Sequence, residues 1–173
     1  MEKLNLFAVL LGGNPSGTSV EVHDVVFAVG PSIEAIGDQL QTAWFDRGSQ
    51  PHIDSWMVLD AVDGASIEVA TTAAAAGEPD LWHAYLGFYE AGAGSFGEGH
   101  ESVFIVARSA EEAKRRAKAQ AARPTRISLH TDALHRVSDR LAAYGSPYRV
   151  RIGNATVTAK APQIHDGYLP FAG

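Results

Sequence analysis

The chain has 173 residues, of which 46% are hydrophobic and 20% charged, and it contains no cysteine. This composition is typical of an ordinary globular domain and excludes a disulfide framework, a thiolate metal site and a cysteine nucleophile. The formal net charge of −6 is unevenly placed, because residues 1–107 hold two basic and fifteen acidic side chains whereas residues 108–173 hold twelve basic and five acidic ones. Such asymmetry favours association, either between the two halves of one chain or with a partner.

An apolar run at residues 4–11 opens the chain and is broken by Gly12, Gly13 and Pro15. The run is too short to span a bilayer, so we interpret it as a buried strand and not as a signal peptide. We expect no membrane association. With no cysteine present, a cytoplasmic location is the default expectation.

Four further elements are predicted before residue 72. Residues 19–29 form a strand that Gly30 and Pro31 end, and residues 32–45 form a helix whose apolar residues recur at helical spacing. Residues 52–59 and 65–71 are then predicted as strands, separated by the turn-forming pair Asp63-Gly64.

The sequence around residues 21–34 is repeated 77 positions later. Seven residues of the first segment are identical in the second. They are Glu21, His23, Val26, Phe27, Val29, Ser32 and Glu34, which correspond to Glu98, His100, Val103, Phe104, Val106, Ser109 and Glu111. The repetition predicts an internal duplication, in which Leu11-Gly12 also corresponds to Leu86-Gly87.

The second predicted helix begins at Ser109, where Ser109 and Glu112 have the spacing of a capping box. Small alanines line its inner side, and basic residues cover its outer side. The basic residues are Lys114, Arg115, Arg116 and Lys118. No interleaved aromatic residues or recognisable motif accompany them, so nucleic acid is an unfavoured partner.

The rest of the chain gives weaker patterns. Residues 127–130 are predicted as a strand, and residues 131–145 as a short helix or turn because Leu134, Val137 and Leu141 have helical spacing. Two strands about Gly153-Asn154 are predicted as a hairpin. Residues 161–173 are expected to be an extended tail, held by Tyr168 and Phe171.

Three stretches of the first half resemble a prokaryotic family catalogued as domain of unknown function 1543. They are residues 10–13, 21–27 and 52–56, and the second half shows related stretches at 86–87, 98–101 and 130–132. The family contains proteins with one or two copies of the unit, so the resemblance implies two copies here and a bacterial origin. It implies no activity, substrate or catalytic residue.

Four of the seven histidines occupy duplicated positions, and each is separated by one residue from a carboxylate. The candidate ligand-binding residues are Glu21, His23, His52, Asp54, Glu98, His100, His130 and Asp132. Alternate residues of a strand share a face, so each pair is expected to project together. Two imidazoles and two carboxylates would suit zinc, manganese or iron, and the same groups could serve as a general acid and base.

The alternative is that each pair is a structural hydrogen bond at a sheet end, since Glu-x-His spacing alone is weak evidence for chemistry. We rank this structural role first, a ligand or metal site second and catalysis third. We assign no catalytic residue, metal or cofactor. Residues 92–97 are rich in glycine but precede a strand, so they are not a dinucleotide-binding loop.

The predicted fold class is α+β. Each copy is a strand-strand-helix-strand unit, with the helices on one face of a mixed, largely shared sheet and a pseudo-twofold relation between copies. The expected boundaries are residues 1–76 and 77–160 for the copies, packed as one domain, and 161–173 for the tail. A half of about 80 residues buries limited core alone.

For function, the sequence favours a non-enzymatic binding or assembly module. Its expected partners are a second copy of the chain, forming a homodimer or larger homo-oligomer, or an unidentified small ligand or protein. The alternative is a metal-dependent or acid-base enzyme that uses the duplicated histidine and carboxylate pairs.

Overall fold

The computed structural model describes residues 3–92, 94, 96–156 and 162–171, and the architecture below refers to these ranges. The strands are β1 Asn5–Gly13, β2 Val22–Gly30, β3 His52–Val58, β4 Ala61–Val62, β5 Ala65–Ala70, β6 Asp80–Glu90, β7 Gly99–Ala107, β8 Arg126–Arg136, β9 Arg149–Thr156 and β10 His165–Pro170. The α-helices are α1 Gly37–Ala43, α2 Ala110–Ala121 and α3 Val137–Ala143, and a 3-10 turn at Glu34–Ile36 precedes α1. None of these helices has the length and hydropathy that a bilayer crossing requires.

The strands form three antiparallel sheets. The first sheet has the order β10-β3-β1-β2, the second sheet has the order β7-β6-β8, and a small sheet has the order β4-β5-β9. In the first sheet the central strand is β1, and in the second it is β6. The α+β class is therefore confirmed. The expectation of one shared mixed sheet is wrong, because each central strand pairs antiparallel with both of its own neighbours.

The two large sheets face each other across a shared apolar core. Alternation along β1 places Leu6 and Ala8 in this core and Phe7 and Val9 in a second cluster that packs under α1. From the second sheet, Leu81 enters the shared core. A third cluster lies between the second sheet and the alanine side of α2. Each sheet thus turns one face toward the other sheet and one face toward a helix.

The cap of α2 differs in detail from the predicted capping box. The Ser109 hydroxyl accepts a hydrogen bond from the backbone N–H of Glu112 at 3.2 Å, as expected. The Glu112 carboxylate accepts from the N–H of Arg108 at 3.0 Å, and not from that of Ser109. This bond lowers the pKa of Glu112. The cap still satisfies two backbone donors that the helix leaves free.

Replacing Ser109 with alanine is expected to lower the free energy of unfolding by about 1 kcal/mol, because one backbone donor of α2 loses its partner. Urea denaturation followed by circular dichroism would measure the change. Ser109→Asp, which retains an acceptor at the cap, should stay close to the wild-type stability. Equal losses in the two variants would contradict the role of the cap.

Two elements in the second half correct the sequence-based prediction. Residues 131–136 continue strand β8, and the helix begins only at Val137. Residues 153–154 lie within the continuous strand β9 and form no hairpin turn. A Cβ atom at Gly153 would lie 2.1 Å from the Ser66 hydroxyl oxygen, so this glycine permits close approach of β5. The second hairpin strand is predicted at residues 155–160; residues 155–156 belong to β9, and residues 157–160 lie outside the described ranges.

The helix predicted at residues 32–45 is shorter than expected. The chain makes a 3-10 turn at Glu34–Ile36 and then the seven-residue helix α1. Trp44 has extended backbone angles and ends it. The internal duplication and its boundaries stay predictions, although the order of pairing around β1 and β6 is the same.

Candidate metal centres

A glycine occupies the centre of each large sheet at the place where the candidate ligands meet. Gly12 of β1 lies opposite His23 of β2 on one side and His52 of β3 on the other. Gly87 of β6 lies in the same way between His100 of β7 and His130 of β8. Each glycine therefore has a histidine on both flanking strands, and the absence of a side chain leaves room for the imidazoles to converge.

A β-bulge supplies the aspartate of each group. The register of β1 with β3 passes from Leu10 opposite Ser55 to Leu11 opposite Ile53, so Asp54 is the extra residue. The register of β6 with β8 shifts at the corresponding place, where Asp132 is the extra residue. Bulges redirect a side chain locally, and here they bring the aspartates beside the glycines.

In the first cluster, defined as Glu21, His23, His52 and Asp54, imidazole nitrogens approach carboxylate oxygens closely. His52 Nε2 lies 2.7 Å from Glu21 Oε1 and 3.1 Å from Asp54 Oδ1. His23 Nε2 lies 3.0 Å from Asp54 Oδ2. The candidate ligand atoms of Glu21, His52 and Asp54 all lie within 4.8 Å of one another. These four side chains form one compact set of nitrogen and oxygen donors.

The second cluster, defined as Glu98, His100, His130 and Asp132, has the same composition. His130 Nε2 lies 3.0 Å from Glu98 Oε1 and 3.0 Å from Asp132 Oδ1. His100 Nε2 lies 3.6 Å from Glu98 Oε2 and 3.4 Å from Asp132 Oδ2. Here the mutually close ligand atoms belong to Glu98, His100 and Asp132. The second cluster thus repeats the first with a looser geometry.

Two carboxylate oxygens in these clusters have no hydrogen-bond partner although they are closed to solvent. They are Asp54 Oδ2 in the first cluster and Glu98 Oε1 in the second. His23 Nε2 lies 3.0 Å from the first oxygen and His130 Nε2 lies 3.0 Å from the second, without forming a hydrogen bond. A buried, unpartnered carboxylate oxygen is costly unless a cation satisfies it.

The tautomer of His130 is the one that a metal-binding histidine requires. Its Nδ1 lies 2.7 Å from the backbone carbonyl oxygen of Ser128, which can only accept, so Nδ1 carries a proton. In the neutral ring, Nε2 then presents a lone pair to the oxygens of Glu98 and Asp132. The bond to Ser128, followed by the charges of Glu98 and Asp132, raises the pKa of His130. A proton or a metal ion on Nε2 relieves the repulsion, and a carbonyl that orients the second ring nitrogen is the usual support of a metal-binding histidine.

Aromatic rings cover the two clusters differently. The Tyr168 ring of β10 lies 4.3 Å from the His52 ring, and the side chain of His52 is only 12% exposed. In the second cluster the Tyr85 ring stacks on His100 at 5.0 Å, and His130 remains 44% exposed. His52 is therefore more enclosed than its counterpart His130, whereas His23 and His100 are 44% and 36% exposed.

All eight candidate residues lie in these two clusters, four in each. Three of the four predicted pairs are in contact, namely His52 with Asp54, His100 with Glu98 and His130 with Asp132. The fourth differs, because His23 contacts Asp54 and Glu21 contacts His52. Sequence reasoning missed the roles of Gly12, Gly87 and Tyr85. The shared Leu-Gly pairs were an available signal, since a glycine inside a predicted strand indicates a bulge or a close approach.

Comparison with known proteins gives a family model, a solved structure and one negative result. No curated protein matches the chain. The crystal structure of a protein Il1583 from Idiomarina loihiensis is similar, with 25% sequence identity and a TM-score of 0.70, over 99% of this chain and 100% of that one. The model of a family described as Domain of Unknown Function (DUF1543) matches residues 18–69, the segment that holds all four residues of the first cluster.

Proposed function

We propose that this protein is a metal-binding module that holds one divalent transition-metal ion at each cluster. The observation that carries the proposal is the convergence of one imidazole and two carboxylates on each glycine, beside a second imidazole from the flanking strand. Within the described residues, one carboxylate oxygen of each cluster is left without a hydrogen bond. Nitrogen and oxygen donors without a thiolate suit zinc, manganese or iron.

The distances within the clusters support coordination. Zinc binds histidine nitrogen and carboxylate oxygen at about 2.0–2.1 Å, and a tetrahedron with such bonds has edges of about 3.3 Å. The nitrogen–oxygen separations of 2.7–3.6 Å lie around this value. Only small side-chain shifts would be needed to accept an ion.

The number of residues that bind the ion decides between binding and catalysis. Three ligand atoms of each cluster lie within 4.8 Å of one another, and the fourth residue, His23 or His130, lies beside them. A tetrahedral zinc ion with four protein ligands has no position left for substrate, which is the pattern of structural sites. A six-coordinate manganese or iron ion would keep open positions at the same ligands, and this favours the enzymatic alternative. The identity of the bound metal therefore separates the two functions.

Elemental analysis of protein made without an affinity tag or chelator is expected to give two metal equivalents per chain. His52→Ala should retain one equivalent, and the double variant His52→Ala/His130→Ala should retain none, because each substitution removes a ligand from one cluster. His165→Ala is the matched control and should retain both, since its ring stacks on Trp56 and belongs to neither cluster. Metal-free protein that shows no saturable binding of zinc, manganese or iron would refute the proposal.

Some of the opposite charges of the two halves form ion pairs within the chain. Arg116 of the basic half lies 2.7 Å from Asp63 of the acidic half, and Arg136 and Arg151 approach Asp80 and Glu78 at 3.7 and 3.6 Å. These pairs support an intramolecular role for part of the opposite charge. Self-association into a homodimer stays a prediction.

A further inference from the structure

A cavity of about 90 Å³ lies between the facing surfaces of the two large sheets. The first sheet contributes His23 and Asp24, the second contributes His83, Tyr85 and His135, and α3 contributes Arg140. By comparison with a cavity of about 150 Å³ that holds the six carbons of benzene, this cavity has room for about four to five non-hydrogen atoms. Its polar lining distinguishes it from an ordinary packing defect, which is apolar.

Two opposite charges face this cavity without forming an ion pair. Asp24 and Arg140 both line it, yet among the ion pairs within 4.0 Å of the described chain none joins them. A carboxylate and a guanidinium therefore line one cavity without a direct ion pair between them.

Arg140 keeps donors available for a ligand. Its guanidinium donates to the Tyr144 hydroxyl and lies 4.9 Å from the centre of the Tyr144 ring. An arginine side chain has five N–H donors in a planar fork, so the contact with Tyr144 leaves several unused. Such a fork matches the two oxygens of a carboxylate.

The three lining groups from the second sheet, His83, His135 and Tyr85, add little charge near neutral pH. Burial lowers the pKa of His83 to about 4, and the ring is also within 3.0 Å of the Ser102 hydroxyl. Burial also lowers the pKa of His135. Tyr85 has a raised pKa and keeps its proton. The cavity thus presents one positive and one negative wall.

We propose that this cavity binds a small α-amino acid, whose carboxylate contacts Arg140 and whose ammonium group contacts Asp24. A simple anion would leave Asp24 facing it, and a simple cation would face Arg140, so only a ligand with both charges complements both walls. The number of atoms that fit best matches glycine, which has five non-hydrogen atoms, and alanine and serine are larger by one and two atoms. The proposal is independent of the metal centres, although His23 belongs to both the first cluster and the cavity.

Titration calorimetry of the full chain, kept metal-free with a chelator, tests this binding. Glycine, alanine and serine are the probes, and at least one is expected to bind saturably. Propionate and ethylamine, each lacking one charge of alanine, should bind at least tenfold more weakly. No binding of any of the three amino acids, or equal binding of propionate, would overturn the proposal.

Variants locate the binding site. Arg140→Gln and Asp24→Asn should each weaken amino-acid binding at least tenfold, whereas Arg136→Gln and Asp139→Asn, which alter charges outside the cavity lining, should leave it unchanged. Ala133→Leu places a larger side chain in the cavity and keeps both charges, so it should also block binding. Circular dichroism identifies any variant that fails to fold. Folded Arg140→Gln and Ala133→Leu proteins that bind like the wild type would refute the site.

Discussion

Replacing Gly12 with alanine is expected to abolish metal binding at the first cluster and leave the second cluster occupied. The new Cβ atom would lie 2.5 Å from Glu21 Oε1, 2.6 Å from Asp54 Oδ2 and 2.8 Å from His52 Nε2. A carbon atom cannot share this space with three ligand atoms, so the donors must move apart. The backbone of Gly12 has no positive φ, and the effect is therefore confined to the space that the side chain takes.

Gly87→Ala should abolish metal binding at the second cluster and leave the first cluster occupied. A Cβ atom there would lie 2.7 Å from Asp132 Oδ2, 2.7 Å from His130 Nε2 and 2.8 Å from Glu98 Oε1. Elemental analysis should give one equivalent of metal for each single variant and none for the double variant. The paired losses would show that the two clusters bind independently.

Gly37→Ala is the matched control for both glycine variants. Gly37 lies in α1, and nothing lies within 4 Å of a Cβ atom built on it. This variant should keep both metal equivalents and gain up to about 1 kcal/mol in stability, because alanine is the better helix former. A Gly12→Ala protein that binds two equivalents with wild-type affinity would contradict the central role of the glycine.

The sequence predicted the members of each cluster because strand alternation is a local property. Glu21 and His23 share a face in any regular strand, as do Glu98 and His100. The meeting of two such pairs depends on register, which local spacing does not contain. One residue of shift in β3 would have moved His52 away from Gly12, so the bulge at Asp54 was beyond prediction.

The error at residues 131–136 has a different physical origin. Leu134, Val137 and Leu141 have helical spacing, but Leu134 packs in the cluster under α2 whereas Val137 and Leu141 lie in the core between the sheets. These residues are buried on two different surfaces, and their spacing in the sequence was the same as that of one apolar face of a helix. The correspondence of His130 and Asp132 with His52 and Asp54 indicated a strand, and this longer-range signal was the correct one.

The cavity was not predictable from the sequence because it arises from packing between the sheets. Asp24 and Arg140 are more than a hundred residues apart in the chain, and neither belongs to a repeated motif. Local spacing along the sequence therefore does not connect these two residues. Position at the edge of the first sheet, next to α3, is what brings it beside Arg140.

Acidification is expected to destabilise the protein through His83, which is buried between the two large sheets. The side chain is 3% exposed, and its ring lies 5.5 Å from that of Phe27 and 5.2 Å from that of Phe104. Burial lowers its pKa from 6.5 to about 4. Between these values the unfolded chain binds a proton that the folded chain does not, so the free energy of unfolding falls as the pH falls from 6.5 towards 4.

The size of this loss follows from the difference in pKa. The difference between 6.5 and about 4 lowers the free energy of unfolding by about 3 kcal/mol once the pH is well below 4, and by about 2.5 kcal/mol at pH 4.5. His83→Gln cannot bind the proton, so its loss of stability between pH 7 and pH 4.5 should be smaller than that of the wild type by this amount. Urea denaturation at the two pH values, with chelator present so that loss of metal does not contribute, would measure it.

Other groups that titrate in this range affect both proteins alike. Burial raises the pKa of Asp24 and of Asp80, so their protonation favours the folded state and opposes the effect of His83. Subtracting the variant from the wild type removes this contribution to the extent that the sites do not interact. His165→Gln is the control, because its half-buried ring stacks on Trp56 and makes no contact with His83. This variant should lose as much stability as the wild type. Equal losses for the wild type and His83→Gln would show that His83 accepts a proton as readily in the folded chain as in the unfolded one.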